Sequence, residues 1–262
     1  MDSFEQILQS ISDLLWGYPL LILLFGTHLF LTFRLRFIQR YIGTGIRLSL
    51  RRSLEGKGDV SQFGALTTAL AATIGTGNIV GVATAVAAGG PGAVLWMWLT
   101  GVFGIATKYS EALLSVKYRI TMPSGMMAGG PMYVLERGMK QKWLGVLFAL
   151  LTAIAAFGIG NMVQANSISS MVEHTFAISP WITGMVMTVL TAVVIIGGIK
   201  SIARVCEALV PFMAIFYVAG CLILLGMHIQ TVPDSIMLIL QSAFSGQAAL
   251  GGFLGAGMKE AM

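Results

Sequence analysis

Charged side chains are scarce in this chain. Asp, Glu, Lys and Arg make up 10% of its 262 residues, whereas hydrophobic residues make up 56%. An average soluble domain is roughly one quarter charged. This depletion leaves too little charge to cover a soluble globule of this size, and the mean hydropathy of +0.83 agrees with that conclusion. The composition therefore predicts a polytopic membrane protein.

Other absences narrow the range of functions. Cysteine occurs only as Cys206 and Cys221, both in or beside apolar runs, which argues against a disulfide framework or a cysteine metal site. The sequence contains no H-E-x-x-H, G-x-S-x-G or P-loop motif, and its apolar runs hold almost no carboxylates. A membrane-embedded enzyme is therefore a weak alternative, and we expect no organic cofactor. Residues 1–13 carry three acids and no Lys or Arg, unlike a secretory signal peptide.

Long apolar runs predict six membrane-spanning helices. We expect them at residues 14–33, 63–86, 93–115, 143–168, 181–199 and 208–228, and a seventh apolar stretch begins near Ser235. Pro211 is expected to kink the entry to the sixth span. The whole chain is interpreted as one transmembrane domain.

The basic residues predict the orientation of these spans. If the spans alternate in direction, segments 34–62, 116–142 and 200–207 lie on one side, and they hold 14 of the 16 Lys and Arg residues. Such segments remain on the cytoplasmic side. The sequence therefore predicts a cell-membrane protein with its N-terminus outside and residues 14–33 as a retained anchor helix. The net charge of +5 orients the chain in a lipid bilayer and does not indicate nucleic-acid binding.

A glycine-rich stretch, Thr73-Ile-Gly-Thr-Gly-Asn-Ile-Val-Gly81, interrupts the second span. Its spacing is one residue off the dinucleotide-binding fingerprint, but the preceding segment is Ala-rich and helical, and no carboxylate follows about 20 residues later. Two interpretations remain. The glycines allow close helix packing through small-xxx-small spacing. Alternatively, the helix unwinds near Gly75–Asn78 and exposes backbone groups to a ligand, with helix resuming toward Ala85.

A few polar residues lie within the other predicted spans. Gln164 either faces the substrate or joins helices through a hydrogen bond, and the same alternatives stay open for Asn161 and Asn166. Lys108 and Glu111 form a helix-end ion pair or a link in an inner gate. The histidines, His28, His174 and His228, are expected at the membrane interface rather than in a proton relay.

Several ordered motifs together resemble the alanine or glycine:cation symporter family, which includes the sodium:alanine symporters and amino-acid carrier proteins. The resemblance runs through the proposed spans to the end of the chain. The matching segments are Thr73-Ile-Gly-Thr-Gly-Asn-Ile-Val-Gly-Val-Ala-Thr-Ala85, Gly89-Gly-Pro-Gly-Ala93, Trp96-Met-Trp98, Ala106-Thr-Lys-Tyr-Ser-Glu111, Lys117-Tyr-Arg119, Gly129-Gly-Pro-Met-Tyr133 and Phe157-Gly-Ile-Gly-Asn-Met-Val-Gln-Ala-Asn166.

The resemblance implies an all-α fold of the LeuT type, in the APC superfamily. That fold has two inverted five-helix repeats, and the first helix of each is broken at the substrate site. Residues 14–33 are then an extra N-terminal helix, residues 63–228 form the first repeat and residues 229–262 begin the second. The expected chain is the N-terminal portion of a carrier, truncated before most of the second repeat and not competent alone.

The resemblance also implies the site. Thr76 and Gly77 offer backbone amides to the substrate carboxylate, and Asn78 serves both substrate and ion. The Thr73 carbonyl and Asn78 help to hold a coupling Na⁺, and the Ala71 and Ile74 carbonyls contribute to a second cation site. Gly75 is the flexible element of the break.

The expected function is sodium-coupled symport of a small neutral amino acid, alanine or glycine, by alternating access. A passive channel or a non-transporting membrane subunit is the alternative. The partners are the substrate, Na⁺ and the lipid bilayer, and self-association is left open.

Overall fold

The computed structural model describes residues 2–15, 18–51 and 58–244, and these residues are mostly helical. The helices are α1 (Asp2–Leu15), α2 (Tyr18–Arg34), α3 (Ile42–Ser49), α4 (Gln62–Thr73), α5 (Thr76–Gly89), α6 (Ala93–Lys117), α7 (Pro131–Tyr133), α8 (Lys142–Ala155), α9 (Val163–Phe176), α10 (Pro180–Ile196), α11 (Gly198–Met227) and α12 (Val232–Ser242). A 3-10 turn (Ile38–Tyr41) precedes α3, and π-helical segments (Val134–Gly138 and Ala156–Met162) follow α7 and α8. Strands β1 (Ile120–Thr121) and β2 (Met127–Ala128) form a short antiparallel hairpin.

Helices occur at all six predicted spans. By length and apolarity, three of those in the described part of the chain could cross a membrane: Gln62–Gly89, Lys142–Phe176 and Gly198–Met227. A bent pair, Pro19–Arg34 with Ile38–Ser49, makes a fourth if it is one span, and Pro180–Ile196 is apolar but shorter. The helix Ala93–Lys117 is long enough to span a membrane, but it contains Lys108, Glu111 and Lys117 and is more polar than these three candidate spans. The molecule is a helical membrane protein.

Several predicted boundaries were wrong. Leu14 and Leu15 end α1, and α2 begins only at Tyr18. Segment 200–207 was expected to be a connection, yet it lies inside α11, which begins at Gly198. Charged residues do not stop a helix, since their long side chains can reach the interface while the backbone stays hydrogen-bonded. Pro211 also lies within α11, which continues through it.

The described residues form two compact units, each considered by itself. The first contains residues 1–42, 77–111 and 228–262. In it α2 packs on α6 through an edge-to-face contact of Phe25 with Phe103 and a 2.7 Å hydrogen bond between His28 Nδ1 and Thr107 Oγ1. His28 is only 7% exposed, so this packing buries it. A polar partner on the neighbouring helix allows this histidine to be buried.

The second unit contains residues 43–76 and 112–227. Helix α4 packs along α11, α9 along α10, and α10 along α11. Asp59, before α4, accepts a 2.9 Å hydrogen bond from the Met127 amide of the hairpin. The buried apolar residues of this unit are small, such as Ala203 and Val210, whereas large ones such as Trp181 and Ile196 are more than 80% exposed. Small buried residues and outward-facing large ones are typical of helices that pack within lipid.

Gly145 provides a test of this packing. It is buried in α8, and a Cβ atom there would lie 2.7 Å from the Met132 carbonyl oxygen of α7. A backbone atom cannot move aside easily, so we predict that Gly145→Ala lowers the free energy of unfolding by about 1–3 kcal/mol. Gly184→Ala in α10 is the matched control, because its added Cβ meets no described atom within 4 Å. The control should be neutral or stabilising by up to about 1 kcal/mol. Equal melting temperatures in detergent for the two variants would contradict the packing.

Candidate substrate and ion site

The second apolar span is broken in its middle. Helix α4 ends at Thr73, and Ile74 takes an extended conformation with φ −87° and ψ 107°. Its amide still donates to the Leu70 carbonyl at 2.7 Å. Gly75 follows, and α5 begins at Thr76. The predicted break is therefore present.

The position of the break differs from the prediction. It was expected at Gly75–Asn78, but it lies at Ile74–Gly75, and Thr76, Gly77 and Asn78 form the first turn of α5. The first amides of a helix have no partner within it, so a flexible glycine is tolerated in that turn. The structure thus moves the start of α5 by about one turn toward the N-terminus.

Two sets of backbone groups meet at this break. By helix geometry, carbonyls in the last turn of α4 and amides in the first turn of α5 lack partners within their own helices. The amide end of α5 carries partial positive charge, and the carbonyl end of α4 carries partial negative charge. The break therefore offers hydrogen-bond donors to an anion and oxygen ligands to a cation.

Gln164 supplies a side chain at the break. Its Oε1 accepts hydrogen bonds from the Thr76 backbone amide at 3.2 Å and from Thr76 Oγ1 at 3.0 Å. A Cβ atom at Gly75 would stand 3.0 Å from Gln164 Nε2, closer than side chains usually approach. The absence of a side chain at Gly75 therefore admits the Gln164 amide to the start of α5.

A π-helical segment precedes Gln164. It spans Ala156–Met162 between α8 and α9. Such segments are often found at functional sites, because the widened turn changes the direction of the side chains that follow. Gln164 is half-buried, whereas Asn161 and Asn166 are exposed. The structure thus brings one of the three predicted amides to the break.

The remaining predicted residues have simpler surroundings. Thr73 donates its hydroxyl to the Ala69 carbonyl of its own helix at 2.7 Å. Ala71, Gly77 and Asn78 are exposed, and Ile74 is half-buried. In the described ranges, no group of three or more His, Cys, Asp or Glu residues is placed to hold a metal ion.

Lys108 and Glu111 form an ion pair on α6. The Nζ and Oε2 atoms are 3.2 Å apart, and the two side chains are 72% and 46% exposed. The predicted ion pair is therefore present. An exposed pair of this kind contributes roughly 0–1 kcal/mol to stability in water, so its main consequence is the placement of polar groups at this part of α6.

The hydrogen bond between Gln164 and Thr76 can be tested directly. We predict that Gln164→Ala speeds hydrogen exchange of the Thr76 amide about threefold to tenfold, since a hydrogen bond contributes about 0.5–1.5 kcal/mol. Asn166→Ala, an exposed position on the same helix, is the control and should leave this exchange unchanged. Mass spectrometry of peptides that cover residues 74–80 gives the measurement. Unchanged exchange in Gln164→Ala would contradict the contact.

These features define a helical integral membrane protein whose interrupted apolar span presents backbone groups beside an amide side chain. Comparison with known sequences then identifies the group to which it belongs. The chain belongs to the sodium:alanine symporter family, whose sequence model matches residues 1–262. This is a family of transporters rather than enzymes.

Individual relatives agree with this assignment. An uncharacterized transporter of Haemophilus influenzae is 54% identical over 97% of this chain and 56% of its own length. The sodium/alanine symporter AgcS of Methanococcus maripaludis is 48% identical over 96% of this chain and 57% of its own length. The uncharacterized transporter YflA of Bacillus subtilis is 41% identical over 97% of this chain and 54% of its own length. The chain thus spans about half the length of the curated relatives it matches.

Proposed function

We propose that this chain forms part of a sodium-coupled symporter for a small neutral amino acid, alanine or glycine. The observation that carries the proposal is the broken helix at Ile74–Gly75, with the Thr76 amide bonded to a neutral side-chain oxygen. Broken membrane helices are typical binding sites for a solute and its coupling ion, because their free backbone groups cannot remain unpaired in lipid. The relative named a sodium/alanine symporter supports the same substrate class.

The substrate carboxylate binds at the start of α5. The backbone amides of Thr76 and Gly77 donate to it, with the Asn78 side chain nearby, and the positive end of the helix favours its charge. In the structure the Thr76 amide already donates to the Gln164 amide oxygen, which is the same kind of acceptor as a carboxylate oxygen. When the amino acid binds, its carboxylate replaces the Gln164 oxygen as acceptor of the Thr76 amide, and the Gln164 side chain contacts the bound amino acid.

Sodium binds at the end of α4. The Thr73 carbonyl and the Asn78 side-chain oxygen form one site, and the Ala71 and Ile74 carbonyls contribute to a second. Hard cations such as Na⁺ prefer oxygen ligands, and the carbonyl end of a half-helix supplies them with partial negative charge. The extended conformation of Ile74 supports this assignment, since it interrupts the regular bonding of the neighbouring carbonyls.

Transport follows a LeuT-type mechanism. Residues 63–228 act as the first five-helix repeat, residues 14–33 as an extra helix and residues 229–262 as the start of the second repeat. The N-terminus is outside the cell, and Lys108 with Glu111 contributes to the inner gate. Moving one positive charge inward releases about 2.3 kcal/mol per 100 mV of membrane potential, which drives uptake of the amino acid.

Radiolabelled uptake tests the proposed function. Proteoliposomes that contain the whole carrier of which this chain is proposed to form part should accumulate labelled alanine only with an inward Na⁺ gradient, and excess unlabelled alanine or glycine should compete for the uptake. Replacing Na⁺ by K⁺ should abolish it. Linear, unsaturable flux would instead indicate a channel. Sodium-independent uptake would show that the coupling ion is wrong.

A substitution at Gln164 tests the position of the carboxylate. Gln164→Glu keeps the size of the side chain but holds a negative charge against the Thr76 amide, where the substrate carboxylate is proposed to bind. We predict that alanine affinity falls at least tenfold through like-charge competition, about 1.4 kcal/mol. Asn166→Asp places a similar charge on an exposed position of α9 and should change the affinity less than twofold. Scintillation proximity binding of labelled alanine gives the two dissociation constants. Equal losses in both variants would place the carboxylate elsewhere.

A further inference from the structure

The start of α4 is fastened to α11 through one serine. Ser61 is the N-cap residue of α4, and its Oγ accepts a 2.9 Å hydrogen bond from the Gly64 amide. The same hydroxyl donates to Glu207 Oε1 at 2.8 Å. A single hydroxyl therefore completes the first turn of α4 and joins that turn to a carboxylate 146 residues further along the chain.

The Glu207 side chain comes close to the backbone of α4 at this point. Gly64 is buried, and a Cβ atom there would lie 2.5 Å from Glu207 Oε1. One turn further, Thr67 is 1% exposed and bonds its hydroxyl within its own helix. On α11, Ala203 and Val210 are buried one turn before and one turn after Glu207. The two helices thus share a packed face, and Glu207 is its charged member.

The opposite end of α4 carries the proposed cation ligands. The twelve residues of α4 form one hydrogen-bonded helix, which is a stiff element about 18 Å long. The break at Ile74–Gly75 interrupts the regular hydrogen bonding between α4 and α5. The direction of α4 therefore depends on its own contacts, among which the Ser61–Glu207 bond acts at the end farthest from the break.

We propose that Glu207 is a positioning residue that locks α4 onto α11 through Ser61. When the lock is closed, the carbonyls of the last turn of α4 stand in their ion-binding positions, and when it opens, α4 tilts and the ion site is lost. The part that concerns the ion rests on the proposed function. The lock itself rests on the contacts between Ser61, Gly64 and Glu207.

Local hydrogen exchange in the purified chain, without substrate or sodium, tests the lock. Hydrogen bonds to charged groups are strong enough that Glu207→Ala should speed exchange in the first turns of α4, residues 62–68, roughly tenfold or more. Glu207→Gln retains an acceptor oxygen of the same reach and should stay within about threefold of the parent chain. Arg204→Gln removes an exposed charge from the same helix and is the control for charge alone.

A double-mutant cycle separates the contact from the cap. Ser61→Ala also removes the helix cap, so its effect alone is ambiguous. If Ser61 and Glu207 act through one bond, exchange in the double variant should exceed that of the parent chain by less than the product of the two single-variant factors. Fully multiplicative effects would overturn the proposal. So would unchanged exchange in Glu207→Ala.

Sodium titration of the same exchange links the lock to the ion site. In the parent chain, Na⁺ should protect amides of residues 71–78. In Glu207→Ala the locked population falls, and the sodium concentration that gives half of the protection should rise by about the same factor. In Glu207→Gln this sodium concentration should return to that of the parent chain. Loosening of α4 with an unchanged sodium midpoint would overturn the positioning role. An absence of sodium protection in the parent chain would contradict the proposed cation site, while the lock is still judged by exchange without sodium.

The lock can still be tested if Glu207→Ala destabilises the whole chain. If Glu207→Ala speeds exchange in every helix alike, Gly64→Ala replaces it, because the added methyl would lie 2.5 Å from Glu207 Oε1 and 3.1 Å from Ser61 Oγ and should push the two apart while both polar partners are kept. Exchange that rises only in residues 62–68 of Gly64→Ala supports the lock. Unchanged or uniformly faster exchange in that variant overturns it.

Discussion

The structure of this chain depends on how backbone groups are satisfied where an apolar helix breaks. An unpaired amide or carbonyl in hydrocarbon costs several kcal/mol, so a membrane helix tolerates a break only where other groups take its place. Here the Thr76 amide donates a hydrogen bond to the Gln164 side-chain oxygen. That one contact requires a residue without a side chain at Gly75 and follows a π-helical segment in the chain before α9. The break, the glycine and the amide therefore form one arrangement.

The same constraint explains why the arrangement suits binding. A neutral amide oxygen satisfies the Thr76 amide without burying a charge, and a carboxylate oxygen makes the same bond more strongly. The exchange of one acceptor for the other leaves the helix end satisfied throughout. The bond to Gln164 thus keeps the empty site stable and also opposes binding, since the amino acid must displace it. Affinity in the proposed function reflects the difference between two acceptors rather than the strength of either.

Much of this was predictable from composition and glycine spacing. Apolar runs located the helices, although α11 begins at Gly198 rather than at 208, and the two glycines around Thr76 offered a break as one of two interpretations. Its displacement to Ile74–Gly75 was not predictable, because the conformation of Ile74 depends on contacts that local propensity does not describe. The π-helical segment before Gln164 and the burial of His28 against Thr107 were not predictable for the same reason, because they too depend on contacts between helices. The Ser61–Glu207 bond joins residues so distant in sequence that only the packing of α4 on α11 could reveal it.

The scarcity of charge gives a physical reason for coupling in the proposed function. The groups at the break are amides, carbonyls and a hydroxyl, which carry partial charges only. An amino acid bound alone would place the negative charge of its carboxylate against one helix end, and Na⁺ alone would place a full positive charge against the other. Each charge is poorly compensated by dipoles in a medium of low dielectric constant, whereas the two together attract each other strongly. Neutral surroundings therefore make each ligand favour the binding of the other, and the gain is the same in both directions. A charged side chain at the break would compensate one ligand by itself and weaken that dependence.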